Sequence, residues 1–228
     1  MLLYMTEMNE NISEDILESR MSLLCLQRLE KAIACKDKKD CIRSVEAGLL
    51  LQCGLREMLA QKGLEAEVDS TGRPRLEMGM LPNGKPFLKE YPELYFNISH
   101  SGTLIGCAFA SENIGFDLQQ IRSCKAERLI SKFHEREKET FFSLEESLRE
   151  RFFFRLWSVK EAYIKYTGNG LSESFASFQV VWEKNEIRDL HNNFLAQFQE
   201  IDLKNNDYCA AIVAKNIKNI SIIMKSDI

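Results

Sequence analysis

Residues 103–120, TLIGCAFASENIGFDLQQ, hold two apolar runs on either side of Ser111-Glu112-Asn113, and their reading decides the fold. Each run is short, rich in Ile, Phe, Leu and Ala, and bounded by polar or small residues, which predicts two β-strands joined as a hairpin. In the second run a period of two puts Ile114, Phe116 and Leu118 on one face. Gly115, Asp117 and Gln119 share the other. Working outward, the spacings of Ile42, Val45, Leu49, Leu50, Cys53 and Met58 predict helix over 37–64, and a second helical pattern covers 22–30. All four prolines lie between residues 74 and 92, and 63–96 reads as short extended pieces separated by turns, with Asn83-Gly84 the strongest turn signal. On the other side, helix is expected from Lys125 to about Tyr166 in at least two segments, stopped by Gly168-Asn169-Gly170. SFQVVWEK, FLAQFQEIDL and YCAAIVAK then read as strands. The order helix, strands, helix, strands predicts an α+β fold of two similar lobes.

Composition narrows the class. A chain of 228 residues, 45% hydrophobic and 28% charged, can bury a substantial core. No apolar run reaches the roughly 18 to 20 residues of a membrane span, and the start, MLLYMTEMNENISED, turns acidic before a signal-peptide core could form, so a soluble cytoplasmic protein is expected. Seven cysteines without a C-x-x-C pair argue against a disulfide framework or a zinc site and read as reduced packing residues. With a net charge of −4 there is no global pull towards nucleic acid, and an anionic ligand must be met by a local cluster.

Three places carry chemistry. On the strand, Asp117 and Gln119 offer two oxygen-bearing side chains beside a glycine, which suits a hard cation such as Mg²⁺ and equally suits an ordinary polar strand face. In FRLWSVKEAYIKYTGNGL, Trp157, Glu161 and Lys165 follow at steps of four and form one helical stripe flanked by Lys160. An acid for a metal with lysines for phosphates is a division of labour found in phosphoryl transfer. The plainer reading is an exposed Glu-Lys pair worth about 0.3–0.5 kcal/mol. In NISHSG, residues 97–102, an extended backbone puts Ser99 and Ser101 on one face and His100 on the other, so Ser99 and His100 are badly placed as nucleophile and base. With no G-x-S-x-G elbow either, a serine hydrolase is disfavoured. A phosphate contact by His100 and the serine hydroxyls remains open beside a structural role.

Taken together, GKPFL at 84–88, FNISHSG at 96–102, IGFDLQ at 114–119 and WSVKEAYIKYTGNGL at 157–171 resemble, in order and spacing, the 4'-phosphopantetheinyl transferases of the Sfp-type class. The resemblance covers most of the chain. It implies an enzyme of the holo-acyl-carrier-protein synthase type: it moves the phosphopantetheine arm of coenzyme A onto a serine of an apo acyl or peptidyl carrier protein and releases adenosine 3',5'-bisphosphate. It also implies two pseudo-symmetric α/β lobes, 1–112 and 113–228, with coenzyme A in the cleft, and a monomer in solution.

Residue by residue, the resemblance makes Asp117 and Glu161 the Mg²⁺ ligands. Gln119 stands where many relatives carry Glu, so a third ligand there would be a neutral carbonyl or a water. Lys165 is matched to a pyrophosphate contact, Lys160 to a flanking support, and His100 with Ser99 and Ser101 to a phosphate cradle. Lys85 is matched to the coenzyme A nucleotide, and Arg28, Lys31 and Arg43 to the 3'-phosphate, with Gln52 replacing a customary arginine. Glu161 is the expected general base, and Lys165 and His100 complete the catalytic set. KAERLISKFHEREKE, with Lys125, Arg128, Lys132, His134 and Arg136 around Ile130 and Phe133, is the expected docking helix for an acidic carrier protein. Two rivals are a non-catalytic coenzyme A-binding scaffold and a Mg²⁺-dependent phosphohydrolase.

Overall fold

The two apolar runs of 103–120 form strands, but the strands do not pair with each other. The computed structural model, which describes residues 1–70 and 72–225, runs β1 (Leu2–Glu7), α1 (Glu14–Ser22), α2 (Leu26–Ile33), α3 (Lys38–Ala60), β2 (Met78–Met80), β3 (Pro86–Leu88), β4 (Tyr95–Ser101), β5 (Leu104–Ala110), β6 (Ile114–Gln120), α4 (Ala126–Leu129), α5 (Glu135–Ser143), α6 (Glu146–Thr167), β7 (Phe178–Val181), β8 (Glu186–Asp189), β9 (Phe194–Glu200), β10 (Tyr208–Ala214) and β11 (Ser221–Lys225). One sheet has the order β11-β1-β5-β4 and the other β6-β10-β9-β8-β7. Both edges of β5 are taken, by β1 and β4, so β6 finds its partner in β10, with Asp117 opposite Ala211. The expected hairpin is therefore replaced by a crossing from one sheet to the next at Ser111-Glu112-Asn113. Mixed helix and sheet agrees with the α+β expectation.

The chain divides into two units. The first takes Met1–Pro82, Pro86–Glu112 and the stretch from Asn219; the second takes Asn83–Lys85 and Asn113–Lys218. In the first, Val45, Leu50, Leu55 and Leu59 of α3 pack with Tyr4, Cys107 and Phe109 of the sheet. Helix α3 begins where Asp37 accepts from the backbone N–H groups of Lys39 and Asp40, satisfying two otherwise orphaned donors. The single helix expected over 22–30 is broken. The Gln52 side chain donates to the Leu23 carbonyl at 2.9 Å and accepts from the Cys25 N–H at 2.7 Å, so α3 takes the backbone groups that would have continued α1 into α2. Strands β1, β8 and β11 were not expected; β8 has four residues of mixed charge, and β11 is an exposed edge strand.

In the second unit α6 packs on the sheet. Phe153, Leu156, Val159, Ala162 and Tyr163 meet Phe178, Ile187, Phe198, Ala211 and Val213. Trp157 sits in an aromatic group, 5.2–6.0 Å between ring centroids from Phe133, Phe153 and Phe175. The helix ends at Gly168, whose φ of 75° is the left-handed cap that the Gly-Asn-Gly stop anticipates. All seven cysteines are free thiols. Among the described residues no helix is long and apolar enough to cross a membrane.

Candidate active site

Strand alternation gives Asp117 its place, and a missing side chain gives the site its depth. A Cβ on Gly115 would lie 1.9 Å from the Ala162 carbonyl oxygen and 2.6 Å from the Tyr166 nitrogen, so only glycine lets α6 lie this close to β6. Gly115 thus makes room for the helix backbone. The helix carries Glu161 and Lys165, one turn apart, to Asp117. The Lys165 ammonium donates to Asp117 Oδ1 at 2.6 Å, and the Gln119 amide donates to Oδ2 at 2.7 Å, while the Asp117 side chain is only 3% exposed. The Glu161 carboxyl is raised above the usual carboxylate range, by burial first and then by the negative charge of Asp117, with Lys165 pulling the other way. An acid from a strand and an acid from a helix therefore share one electrostatic neighbourhood.

A buried carboxylate and a half-buried one repel each other, Lys165 offsets part of that repulsion, and a divalent cation would offset more. Two acids and an amide are few protein ligands, which suits a hard ion that keeps much of its water. Among the described residues no group of three or more His, Cys, Asp and Glu side chains forms a metal cluster, as expected when the third position is Gln119. The residues fit such an ion. Gln119 also does a second job, fixing the Asp117 carboxylate in place.

Two lysines expected at the ligand are spent on the protein. Lys160 is 0% exposed, and its three ammonium protons have three acceptors: Phe175 O at 2.7 Å, Phe178 O at 2.6 Å and Glu137 Oε2 at 2.7 Å. Glu137 in turn accepts from the Val180 N–H and the His134 N–H, so the pair ties α5, α6 and β7 together. Burial pushes Lys160 down to about 8. Lys85 is 8% exposed and donates to Asn113 Oδ1, Ile114 O at 2.8 Å and Tyr166 O at 3.4 Å. With Asn83, which donates to Thr167 O at 3.2 Å, it covers the carbonyls at the C-terminal end of α6, where a cation also suits the helix dipole. Both ammonium groups are taken up by protein acceptors, Lys160 as the flanking support expected of it and Lys85 as a support of α6.

The phosphate residues of the first half lie in the first unit. Arg28 packs on α3 over Gly48, where a Cβ would come 3.1 Å from its Nε, and its Nη2 donates to Ser44 O at 2.7 Å. Arg28 Nε, Arg43 Nε and Ser44 Oγ are buried and have no hydrogen-bond partner among the described residues. Buried unpaired donors of this kind are costly, and they fit a phosphate. Lys31 is exposed one turn on, and its ammonium is lowered by partial burial and by Arg28. Arg43 pairs with Asp40. Ser44 carries no charge and stands outside any motif; only its buried, unpaired oxygen identifies it. On β4, Ser99 is buried and His100 exposed, as alternation predicts, opposite Gly106 and Ile105 of β5.

The 4'-phosphopantetheinyl transferase superfamily model matches residues 113–213, which carry Asp117, Glu161 and Lys165. Similar proteins extend the match. The 4'-phosphopantetheinyl transferase Sfp of Bacillus subtilis (strain 168) is 27% identical over 207 residues, covering 89% of this chain and 88% of that protein. The transferase psf-1 of Bacillus pumilus is 36% identical over 96 residues, 42% and 41% of the two chains, and HetI of Nostoc sp. is 34% identical over 137 residues, 58% and 56%. Over residues 113–213 the chain is similar to the 4'-phosphopantetheinyl transferase superfamily, and the similarity to Sfp runs over most of its length.

The segment expected to dock a partner is basic without being apolar. Lys125, Arg128, Lys132 and Arg136 are exposed, whereas Ile130 and Phe133 are core residues at 0% and 2% exposure. His134 is the N-cap of α5, its Nδ1 accepting from the Arg136 N–H. Asn113, unnoticed in the sequence, accepts from Lys85 and donates to Tyr166 O at 2.7 Å. An Asn just before a strand is ordinary turn chemistry, so nothing local flags it.

Proposed function

We propose that this protein moves the 4'-phosphopantetheine arm of coenzyme A to a serine hydroxyl of an apo acyl or peptidyl carrier protein and releases adenosine 3',5'-bisphosphate, with Mg²⁺ held by Asp117 and Glu161. The observation that supports it most is the grouping of Asp117, Glu161 and Lys165 in one poorly solvated place. When bound, the ion supplies charge neutralisation at the pyrophosphate. Lys165, released from Asp117, meets the charge that builds on the leaving bisphosphate. A Glu161 carboxylate oxygen takes the proton of the attacking serine hydroxyl. A carboxylate beside the ion lies where the attacking hydroxyl must lose its proton. Arg28, Lys31 and Arg43 hold the 3'-phosphate, His100 and Ser99 contact the remaining phosphates, and Gln119 orients Asp117. One chain with both units is proposed to act as a cytoplasmic monomer.

The test is direct. The protein is incubated with coenzyme A, MgCl₂ and several apo carrier proteins, and each carrier is weighed intact for the added arm. The wild type is expected to add it, and Asp117→Ala and Glu161→Gln to lose nearly all transfer. Transfer at the wild-type rate by either variant would overturn the assignment of the site. Release of inorganic phosphate without a labelled carrier would favour a phosphohydrolase.

A further inference from the structure

The first unit contains a cavity of about 330 Å³ that the transfer chemistry does not use. Its walls come from the α1–α2 turn (Ser22, Leu23), the middle of α3 (Leu49, Gln52, Cys53, Arg56), the loop at Gly72-Arg73-Pro74, and Lys225 of β11. Arg56 lies thirteen residues beyond Arg43 on the same helix, about 20 Å along its axis, so this is a separate place from the Arg28, Lys31 and Arg43 group.

The charge of the lining is one-sided. Arg56, Arg73 and Lys225 all border the cavity, and among the described residues no Asp or Glu does, in a chain whose net charge is −4. Among the described residues none of the three is in an ion pair. Arg73 donates through Nε to Ser22 O at 3.0 Å, which fixes the guanidinium, and Arg56 is exposed. The floor is different. Leu23, Leu49, Cys53 and Pro74 are apolar, and the Gln52 amide is already spent on Leu23 O and Cys25 N. An apolar floor under a ring of unpaired cations accepts a molecule with an apolar body and an acidic head, and the volume is within the range of small-ligand sites.

We propose that this cavity binds a small amphipathic organic anion, a carboxylate on a short hydrocarbon body, with Arg56, Arg73 and Lys225 around the acid and Leu23, Leu49 and Pro74 against the chain. The probes are octanoate, inorganic phosphate and 1-octanol, titrated calorimetrically into the full chain. Octanoate is expected to bind saturably and more tightly than phosphate, which lacks the body, or 1-octanol, which lacks the charge. Arg56→Gln is the decisive variant, because Arg56 is exposed and makes no ion pair whose loss would harm folding. It should weaken octanoate roughly tenfold, the scale of one charge-assisted hydrogen bond in partly solvated surroundings, and Arg56→Lys should recover part of that loss. Carrier-protein labelling by Arg56→Gln should match the wild type, so this result stands or falls apart from the transferase reading. Absence of saturable octanoate binding, equal binding by Arg56→Gln, or phosphate or 1-octanol binding as tightly as octanoate would each overturn the proposal.

Discussion

Glu161 is held in a place that costs the folded protein stability, because its carboxylate loses water and faces Asp117. Its folded pKa lies above the ordinary 4.5, so the folded chain binds the proton more tightly than the unfolded one. Stability from this group therefore falls as pH rises from the ordinary carboxylate range through that raised value. Glu161→Gln, while abolishing transfer, should therefore raise Tm by a few degrees at pH 7.5, and MgCl₂ should raise the Tm of the wild type but not of the variant; a lower Tm for Glu161→Gln would contradict the account. Lys85 titrates in the opposite sense. Burial pushes it from the ordinary 10.5 down to about 8, so between those values the unfolded chain binds the extra proton and stability from this group rises with pH. Lys85→Met takes the buried ammonium from Asn113 Oδ1 and Ile114 O, while Tyr166 O keeps Asn113 as a donor, and should cost about 2–4 kcal/mol. The gap to wild type in urea melts should widen from pH 7.5 to pH 9.5. Strand and helix periods made Asp117, Glu161 and Lys165 legible in the sequence. The fates of Lys85 and Lys160 were not, because their acceptors come from Ile114, Tyr166, Phe175 and Phe178, and no local pattern announces that a distant carbonyl will consume an ammonium.

At the level of elements, the contact between β6 and α6 is what makes a strand acid and a helix acid neighbours. Gly115→Ala puts a methyl group into the α6 backbone at Ala162, and neither backbone can yield without breaking its own hydrogen bonds. It should cost about 3 kcal/mol or more, lowering Tm by roughly 10 °C for a protein of this size; a near-neutral Gly115→Ala would mean that β6 and α6 are not in this contact. The strands of 103–120 were legible as strands because each is a short apolar run. Their pairing was not. Adjacent strands usually pair, but β5 is claimed on one side by β1, a strand written into the first seven residues, and on the other by β4. Partner choice depends on competition across the chain. The same holds for the break between α1 and α2, which is set by Gln52 some thirty residues further on.

For the molecule as a whole, net negative charge and a locally basic segment are compatible because the cations are grouped. Lys125, Arg128, Lys132 and Arg136 stand exposed, while Ile130 and Phe133 anchor the segment to the core beneath. Recognition through such a surface should be governed by charge and be sensitive to salt. Reversal at both Arg128 and Lys132 to Glu should raise KM for an acidic carrier protein about tenfold or more with little change in kcat, and an unchanged KM would remove this segment from the interface. The parallel pairing of Leu2–Thr6 with Ser221–Lys225 carries a different consequence. On the ribosome the chain emerges from its beginning, so β1 must wait with one side open until residue 225 has left the exit tunnel. The strands of the second sheet end at Ala214, so they are all made shortly before β11 is. Strand β1, made ahead of them, therefore gains its last partner only after they are complete.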